Sequence, residues 1–216
     1  MSPNIGYLAK GRFQVEIVAA NRRMVAGKSS EQVTHWAAQK ALSLAGDAPI
    51  LDLACGNGRH FPELGNQGPL LFGGDISDPM LRVAQTLLEQ TRYGRGLVRL
   101  DAEQLPFPDK SFDVIFCARF FHHLPSRSLR ESILSEMFRI SRHGVVLTCK
   151  ARYSYEHISK VVKSIFIGNK GVVHRYFITT REVTRIAESN GWKLAEKYAP
   201  HPLIGANRGY LLIPKK

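Results

Sequence analysis

Apolar residues along this chain fall into short unbroken runs separated by longer stretches with helical spacing. Ile50 to Ala54 (interrupted only by Asp52), the run around 69–74, Val98 to Leu100, Val114 to Cys117 and Val145 to Thr148 are each bounded by turn residues. Runs of this length suit strands covered on both faces, as in a parallel sheet. Between them, Ser29-x-x-Gln32 reads as a capping box opening a helix to about Leu44, with Val33, Trp36, Ala37 and Leu42 available to pack and Gly46 as its stop. Residues 59–65 suit a short helix with Pro62 in its first turn. Ser77 caps a helix to about Thr91, and Ser128-x-x-Glu131 caps one whose Leu129, Ile133, Leu134, Met137 and Phe138 form a single stripe. Thr179-x-x-Glu182 opens a last helix that ends near Gly191, and two closing strands are expected around 193–198 and 209–213. Strands alternating with helices predict an α/β fold built on a doubly wound parallel sheet.

Two stretches are patterned differently. Residues 1–28 carry little periodicity, although Phe13, Val15, Ile17 and Val18 suit a short helix. Tyr155, Ile158, Val161, Val162, Ile165 and Phe166 follow helical spacing with His157, Lys160 and Lys163 between them. That amphipathic stripe suits a core-facing helix, a lid, a partner-facing surface or a membrane-surface helix.

Length and charge narrow the picture. The 216 residues accommodate one α/β domain with a substantial core. No stretch reaches the roughly 18 apolar residues of a membrane span, and the N-terminus has no signal-peptide pattern, so a cytoplasmic location is the default expectation. The three cysteines fit a reducing compartment, and no Cys/His spacing suggests a zinc site. The formal charge is +12, and it is unevenly placed. Lys and Arg balance Asp and Glu over residues 1–118, so the whole excess lies in residues 119–216. Such asymmetry suggests an acidic partner: an anionic small molecule, an anionic lipid surface or nucleic acid. Solubility chemistry on exposed helices accounts for it equally well.

Candidate chemistry begins where the first apolar run ends, at Asp52-Leu53-Ala54-Cys55-Gly56-Asn57-Gly58. Gly56 and Gly58 allow a sharp turn and close approach of a ligand. A second acid, Asp75, closes the next apolar run 23 positions after Asp52, a spacing that fits a βαβ unit whose second acid meets ribose hydroxyls. A dinucleotide fingerprint would need a third glycine where Phe61 stands. Asp52 would also repel phosphate, whereas it suits a cationic amino-acid end. S-adenosylmethionine has an ammonium, a sulfonium, a ribose diol and no phosphate, so the residues favour it over NAD.

The run of motifs resembles the class I S-adenosylmethionine-dependent methyltransferases. Asp75-Ile76-Ser77-Asp78-Pro79-Met80-Leu81 is similar to the family's second motif and Asp101-Ala102-Glu103-Gln104-Leu105-Pro106-Phe107-Pro108-Asp109-Lys110-Ser111-Phe112-Asp113 to its third. Phe120-Phe121-His122-His123-Leu124 is similar to the segment after the fourth strand in small-molecule members. The resemblance covers residues 47–150. It implies a Rossmann-like sheet of about seven strands with an antiparallel C-terminal hairpin and helices on both faces. A single domain over 1–216 is expected to divide into an N-terminal helical cap (1–46), a cofactor-binding core (47–150), a lid insertion (151–178) and a C-terminal helix and hairpin (179–216).

The resemblance also implies roles. Asp52, Ala54, Gly56 and Gly58 would form the cofactor loop, with Asp52 organising it and the methionine ammonium. Asp75 would accept from both ribose hydroxyls. Ile76 would pack on adenine and Met80 would line the same pocket, although both positions suit the core. Asp101 and Ala102 would meet the adenine edge. Cys117, with Ala118 and Arg119, follows the fourth strand where open sheets place their ligands. Cys117 lacks the partners of a nucleophile. His122 and His123 are the candidate catalytic residues for an acceptor whose proton must leave. His174, Arg175 and Tyr176 are candidates for the acceptor pocket.

After the fourth strand stands Cys-Ala-Arg-Phe-Phe-His-His rather than an Asn/Asp-Pro-Pro-Tyr/Phe motif, which argues against methylation of base amino groups. The expected reaction is therefore methylation of a small, anionic or lipid-linked acceptor. A tRNA or rRNA methyltransferase and a non-catalytic cofactor-binding subunit remain the alternatives. The sequence does not set the oligomeric state.

Overall fold

Alternating side-chain direction along each buried strand divides the core between the two faces of a central sheet. The computed structural model describes residues 28–150, 176–202 and 205–215. The strands are β1 (Ile50–Leu53), β2 (Leu71–Asp75), β3 (Gly94–Arg99), β4 (Phe112–Ala118), β5 (Ser141–Lys150), β6 (Trp192–Tyr198) and β7 (Asn207–Pro214). They pair in the order β3-β2-β1-β4-β5-β7-β6. The first five run parallel, and β7 is antiparallel to both β5 and β6. The sheet is thus the expected seven-stranded, Rossmann-like one, with an antiparallel hairpin at its edge.

Helices α1 (Lys28–Ala45), α2 (Phe61–Leu64) and α3 (Asp78–Glu89) cover one face. There Ala37, Ala38, Ala41, Phe61, Leu64, Ala84 and Leu88 pack with Ile50, Val114, Phe116 and Val146. Helices α4 (Arg127–Ile140) and α5 (Thr180–Ser189) cover the other, where Ile133, Leu134, Met137 and Ile186 meet Leu51, Leu53, Ile115, Cys117, Val145 and Leu147. Neighbours such as Ile50 and Leu51, or Val145 and Val146, therefore serve opposite layers. The strand order reverses between β1 and β4, which opens a crevice beyond their C-terminal ends.

Several element boundaries differ from the sequence expectation. The cap of α4 is Ser126, whose extended backbone lets its Oγ accept from the Leu129 N–H; Ser128 lies inside the first turn. Helix α1 already includes Lys28, so Ser29 is not its cap, and Ser29 Oγ accepts instead from Asn207 Nδ2 at 3.1 Å. Thr179 does cap α5, but the Glu182 carboxylate turns to Arg130 rather than back to the cap. Strand β5 starts at Ser141, ahead of Gly144, because Ser141 already pairs with Phe112 of β4; Gly144 is a packing position, where a Cβ would lie 2.8 Å from Leu44 Cδ1. The helix suggested by Phe13 to Val18 and most of the 151–178 insertion, including the 153–166 stripe, lie outside the described residues. Among the described residues no helix is long and apolar enough to cross a membrane.

Candidate active site

The chain leaving β1 turns through an unusual backbone, with Ala54 at φ 59°, Gly56 at 58° and Gly58 at 75°. Asp75, at the end of β2, holds this loop in place. Its Oδ2 accepts from the Gly56 N–H at 2.8 Å and its Oδ1 from the Ser77 N–H at 2.9 Å. The Cys55 N–H donates to Gly74 O at 3.0 Å, which fastens the loop to β2 a second time.

The two loop glycines serve different ends. A Cβ on Gly56 would meet nothing within 4 Å, so this glycine borders open space. A Cβ on Gly58 would lie 2.7 Å from the Phe61 ring and 3.2 Å from Ala84 Cα, so that position is set by packing of the loop on α2 and α3.

Asp52 lies within β1, opposite Gly73 on one side and Phe116 on the other. It is buried, and its Oδ2 has no hydrogen-bond partner among the described residues. Burial raises its pKa well above the usual carboxylate range, nearby Asp75 adds to that rise, and Arg59 opposes it. Arg59, two residues past Asn57 on the same loop, is half-buried, and its Nη1 is likewise buried without a partner. Desolvation lowers its pKa, against the pull of Glu31 and Asp52. His60 is buried with its ring edge-on to Phe116, centroids 5.5 Å apart. Burial, with Arg59 and Arg119 adding to it, brings its pKa down to about 3, so the ring is neutral.

The remaining cofactor candidates lie around the same strand ends. Ile76 is half-buried, whereas Met80 is buried in the first turn of α3. Asp101 follows β3, where its Oδ1 accepts from the Glu103 N–H; Ala102 is buried against the core. Cys117 is fully buried in β4, and burial pushes its thiol pKa well up, as it does for Cys55.

A second group gathers at the C-terminal ends of β4 and β5. Arg119 takes φ 59°, and its N–H donates to both the carbonyl and the Oγ1 of Thr148 at 3.1 Å. The chain then makes a short 3-10 turn over Phe121–His123. His122 is buried, His123 is half-exposed, and their rings lie 4.2 Å apart. The Tyr176 N–H donates to His122 O at 2.9 Å, which brings one of the three acceptor candidates to this turn; His174 and Arg175 lie outside the described residues. A small cleft is lined by Arg119, His122, Thr148, Lys150, Asn207 and the Ser30 end of α1, among others. Arg59 and His60 were legible as part of the glycine loop but carry no signal of burial in the sequence. Ser30, Thr148 and Asn207 carry none at all, because only folding brings them to His122.

Residues 51–149 match the family described as "Methyltransferase domain". The chain is 34% identical over 122 residues to demethylmenaquinone methyltransferase of Lactiplantibacillus plantarum, covering 53% of this chain and 50% of that protein. It is 29% identical over 119 residues to the tRNA (carboxymethyluridine(34)-5-O)-methyltransferase of Arabidopsis thaliana, covering 54% of this chain and 27% of that protein. The chain thus spans half or less of these curated relatives. In fold it is similar to the magnesium protoporphyrin IX methyltransferase of Synechocystis PCC 6803, solved with bound SAH, with a TM-score of 0.77 at 16% identity over 96% of this chain and 98% of that one.

Proposed function

We propose that this chain, whose residues 51–149 match the family described as "Methyltransferase domain", is a class I S-adenosylmethionine-dependent methyltransferase that acts on a small anionic acceptor. The observation that carries the reading is the Asp52 carboxylate, buried with Oδ2 unanswered beside a glycine loop that Asp75 clamps from the next strand. A buried anion without a partner is costly, and an ammonium group offsets that cost. Gly56 leaves room at the same loop, and a carboxylate at the end of β2, where Asp75 stands, suits a ribose diol. Ile76, Met80, Asp101 and Ala102 would then surround the adenine, with Cys117 forming an inert wall of the site.

Bound in this way, the cofactor supplies a methyl group on a sulfonium, open to in-line displacement. The protein's task is then to orient the acceptor and to exclude water. The cleft beyond β4 and β5 suits that task because Arg119 and Lys150 line it, and both favour a carboxylate or phosphate. His122 also lines it and would take the acceptor proton, with His123 and Tyr176 holding the turn. The demethylmenaquinone methyltransferase relative supports an acceptor of quinone or lipid-linked type. A second reading, RNA methylation, draws on the tRNA methyltransferase relative and on the basic excess of residues 119–216.

Calorimetry with S-adenosylmethionine, using NAD as the control, tests the cofactor. Micromolar binding of the first and none of the second is expected. Asp75→Ala should raise the dissociation constant by about 10–100-fold through lost charge-assisted bonds. An unchanged constant would remove the ribose from Asp75. Turnover with anionic small acceptors supports the main reading, whereas steeply salt-dependent RNA binding with RNA methylation would replace it. Binding without turnover across acceptors of both kinds would indicate a cofactor-binding subunit.

A further inference from the structure

The segment between β3 and β4 forms neither helix nor strand beyond a bridge between Asp101 and Gln104, yet its Ala102 and Leu105 are buried. One guanidinium at the end of α4 holds the far half of it. Arg139 Nη1 donates to Phe107 O at 2.7 Å and to Asp109 Oδ1 at 2.9 Å, and Nη2 donates to Leu105 O at 3.1 Å. Nε and Nη2 also donate to the two carboxylate oxygens of Glu136, at 2.7 and 2.8 Å. We propose that Arg139 is a positioning residue for the adenine of the cofactor, acting through Leu105 on the Asp101–Gln104 turn without touching the ligand. The inference rests on the cofactor reading above, which sets Asp101 and Ala102 around the adenine, and it assigns base selectivity to a residue on a different element.

The turn is anchored at both ends. At its start the Leu100 N–H donates to Asp75 O at 3.0 Å, and Leu100 packs so closely on β2 that a Cβ at Gly74 would lie 2.6 Å from it. That anchor is made by backbone and sheet packing. Within the turn the Gln104 N–H donates to Asp101 O and the Glu103 N–H to Asp101 Oδ1, both at 3.1 Å. At its end both backbone groups of Leu105 are gripped: the N–H donates to Glu136 Oε2 at 2.9 Å and the carbonyl accepts from Arg139. The second anchor therefore depends on two side chains a single helical turn apart on α4.

This second anchor is stiff. Every N–H of the Arg139 guanidinium has an acceptor, in the planar fork that a lysine cannot reproduce. Its bond to Glu136 holds that carboxyl below the usual carboxylate range, so the pair stays charged at neutral pH. Arg139 O accepts in addition from the Lys110 N–H at 2.9 Å, where Lys110 takes φ 54°. Reading a base edge by hydrogen bonds requires groups held within about 0.5 Å, and a loop without ladder bonds reaches that only when tied down.

The test compares S-adenosylhomocysteine with its inosine counterpart, in which the exocyclic amine of the base is replaced by a carbonyl and N1 carries a proton. Dissociation constants are measured by calorimetry on the full chain, on Arg139→Gln and on the milder Arg139→Lys. The original protein should prefer the adenosyl ligand by about 10–100-fold, the range of one or two hydrogen bonds to a charged group. Arg139→Gln should erase most of that preference by weakening the adenosyl ligand alone, and Arg139→Lys should fall between the two. A preference kept in Arg139→Gln, or an equal loss for both ligands, would overturn the assignment and leave Arg139 a structural residue. Should Arg139→Gln not fold, Arg139→Lys decides by the same criterion. Equal affinity of the original protein for the two ligands would also overturn it while leaving the cofactor reading intact. Failure of both to bind the original protein would remove the cofactor reading and the positioning role with it.

Discussion

A carboxylate inside a parallel strand, with one oxygen lacking a partner, lowers the stability of the ligand-free protein. Asp52 is in that position, and its pKa is raised by burial and by Asp75. Since the folded pKa lies above the unfolded value of 3.8, the native state binds more protons than the unfolded state above that pH. The stabilising contribution is complete below pH 3.8 and is lost as pH rises through the folded pKa. Asp52→Asn should therefore be more stable than the original protein at neutral pH, by about 1–3 kcal/mol. The difference should shrink toward pH 4, as read from urea unfolding at several pH values. The same variant should lose the thermal stabilisation that S-adenosylmethionine gives the original protein. A variant no more stable at pH 7 than the original would show that Asp52 carries no burial cost in the ligand-free protein.

Helices α4 and α5 are joined by a buried ion pair rather than by apolar packing alone. Arg130 Nε donates to Glu182 Oε1 at 2.7 Å, with the side chains 9% and 13% exposed, and Arg130 Nη1 donates to Leu124 O. That second bond reaches the segment following His123, so one guanidinium links two helices to the turn that carries the candidate base. Removing a single member of such a pair leaves a buried charge uncompensated. Arg130→Met should cost about 3–5 kcal/mol in chemical unfolding, whereas Arg130→Met combined with Glu182→Met should recover most of it. Equal losses in the single and double variants would mean that the Leu124 bond, and not the ion pair, is what matters.

Across the whole molecule, the antiparallel hairpin completes the cleft. Strand β7 enters beside β5 and carries Asn207 to the cleft, while α1 packs over both. Trp36 of α1 stacks on Tyr198 of β6 with ring centroids 5.4 Å apart, and it covers Gly209 of β7. A Cβ at Gly209 would lie 2.5 Å from Trp36 Cζ3, and the stacked ring cannot swing aside freely. Gly209→Ala should therefore destabilise the protein by about 1–3 kcal/mol and, by shifting α1, weaken acceptor binding more than cofactor binding. Unfolding curves and separate titrations of the two ligands would show it. A neutral substitution would mean that α1 can move without cost.

The expected fold was readable because its signals are local. Unbroken apolar runs such as Val114 to Cys117 mark doubly covered strands, and Ser77 and Thr179 cap helices where their side chains have a backbone N–H within reach. The local signal failed at Ser128, where Ser126 two residues earlier offered the same chemistry with the required extended backbone. The order of motifs likewise marked Asp52, Gly56, Gly58 and Asp75 as neighbours, since the βαβ unit brings successive strand ends together. The charge state of each group depended on folding. The burial of Asp52, the neutral ring of His60 and the buried, unpartnered Nη1 of Arg59 follow from how deeply each side chain lies and what faces it, and no spacing encodes that. So does the cleft: Ser30, Thr148 and Asn207 meet His122 only because α1, β5 and β7 converge on the end of β4, a long-range arrangement set by packing rather than by any one segment.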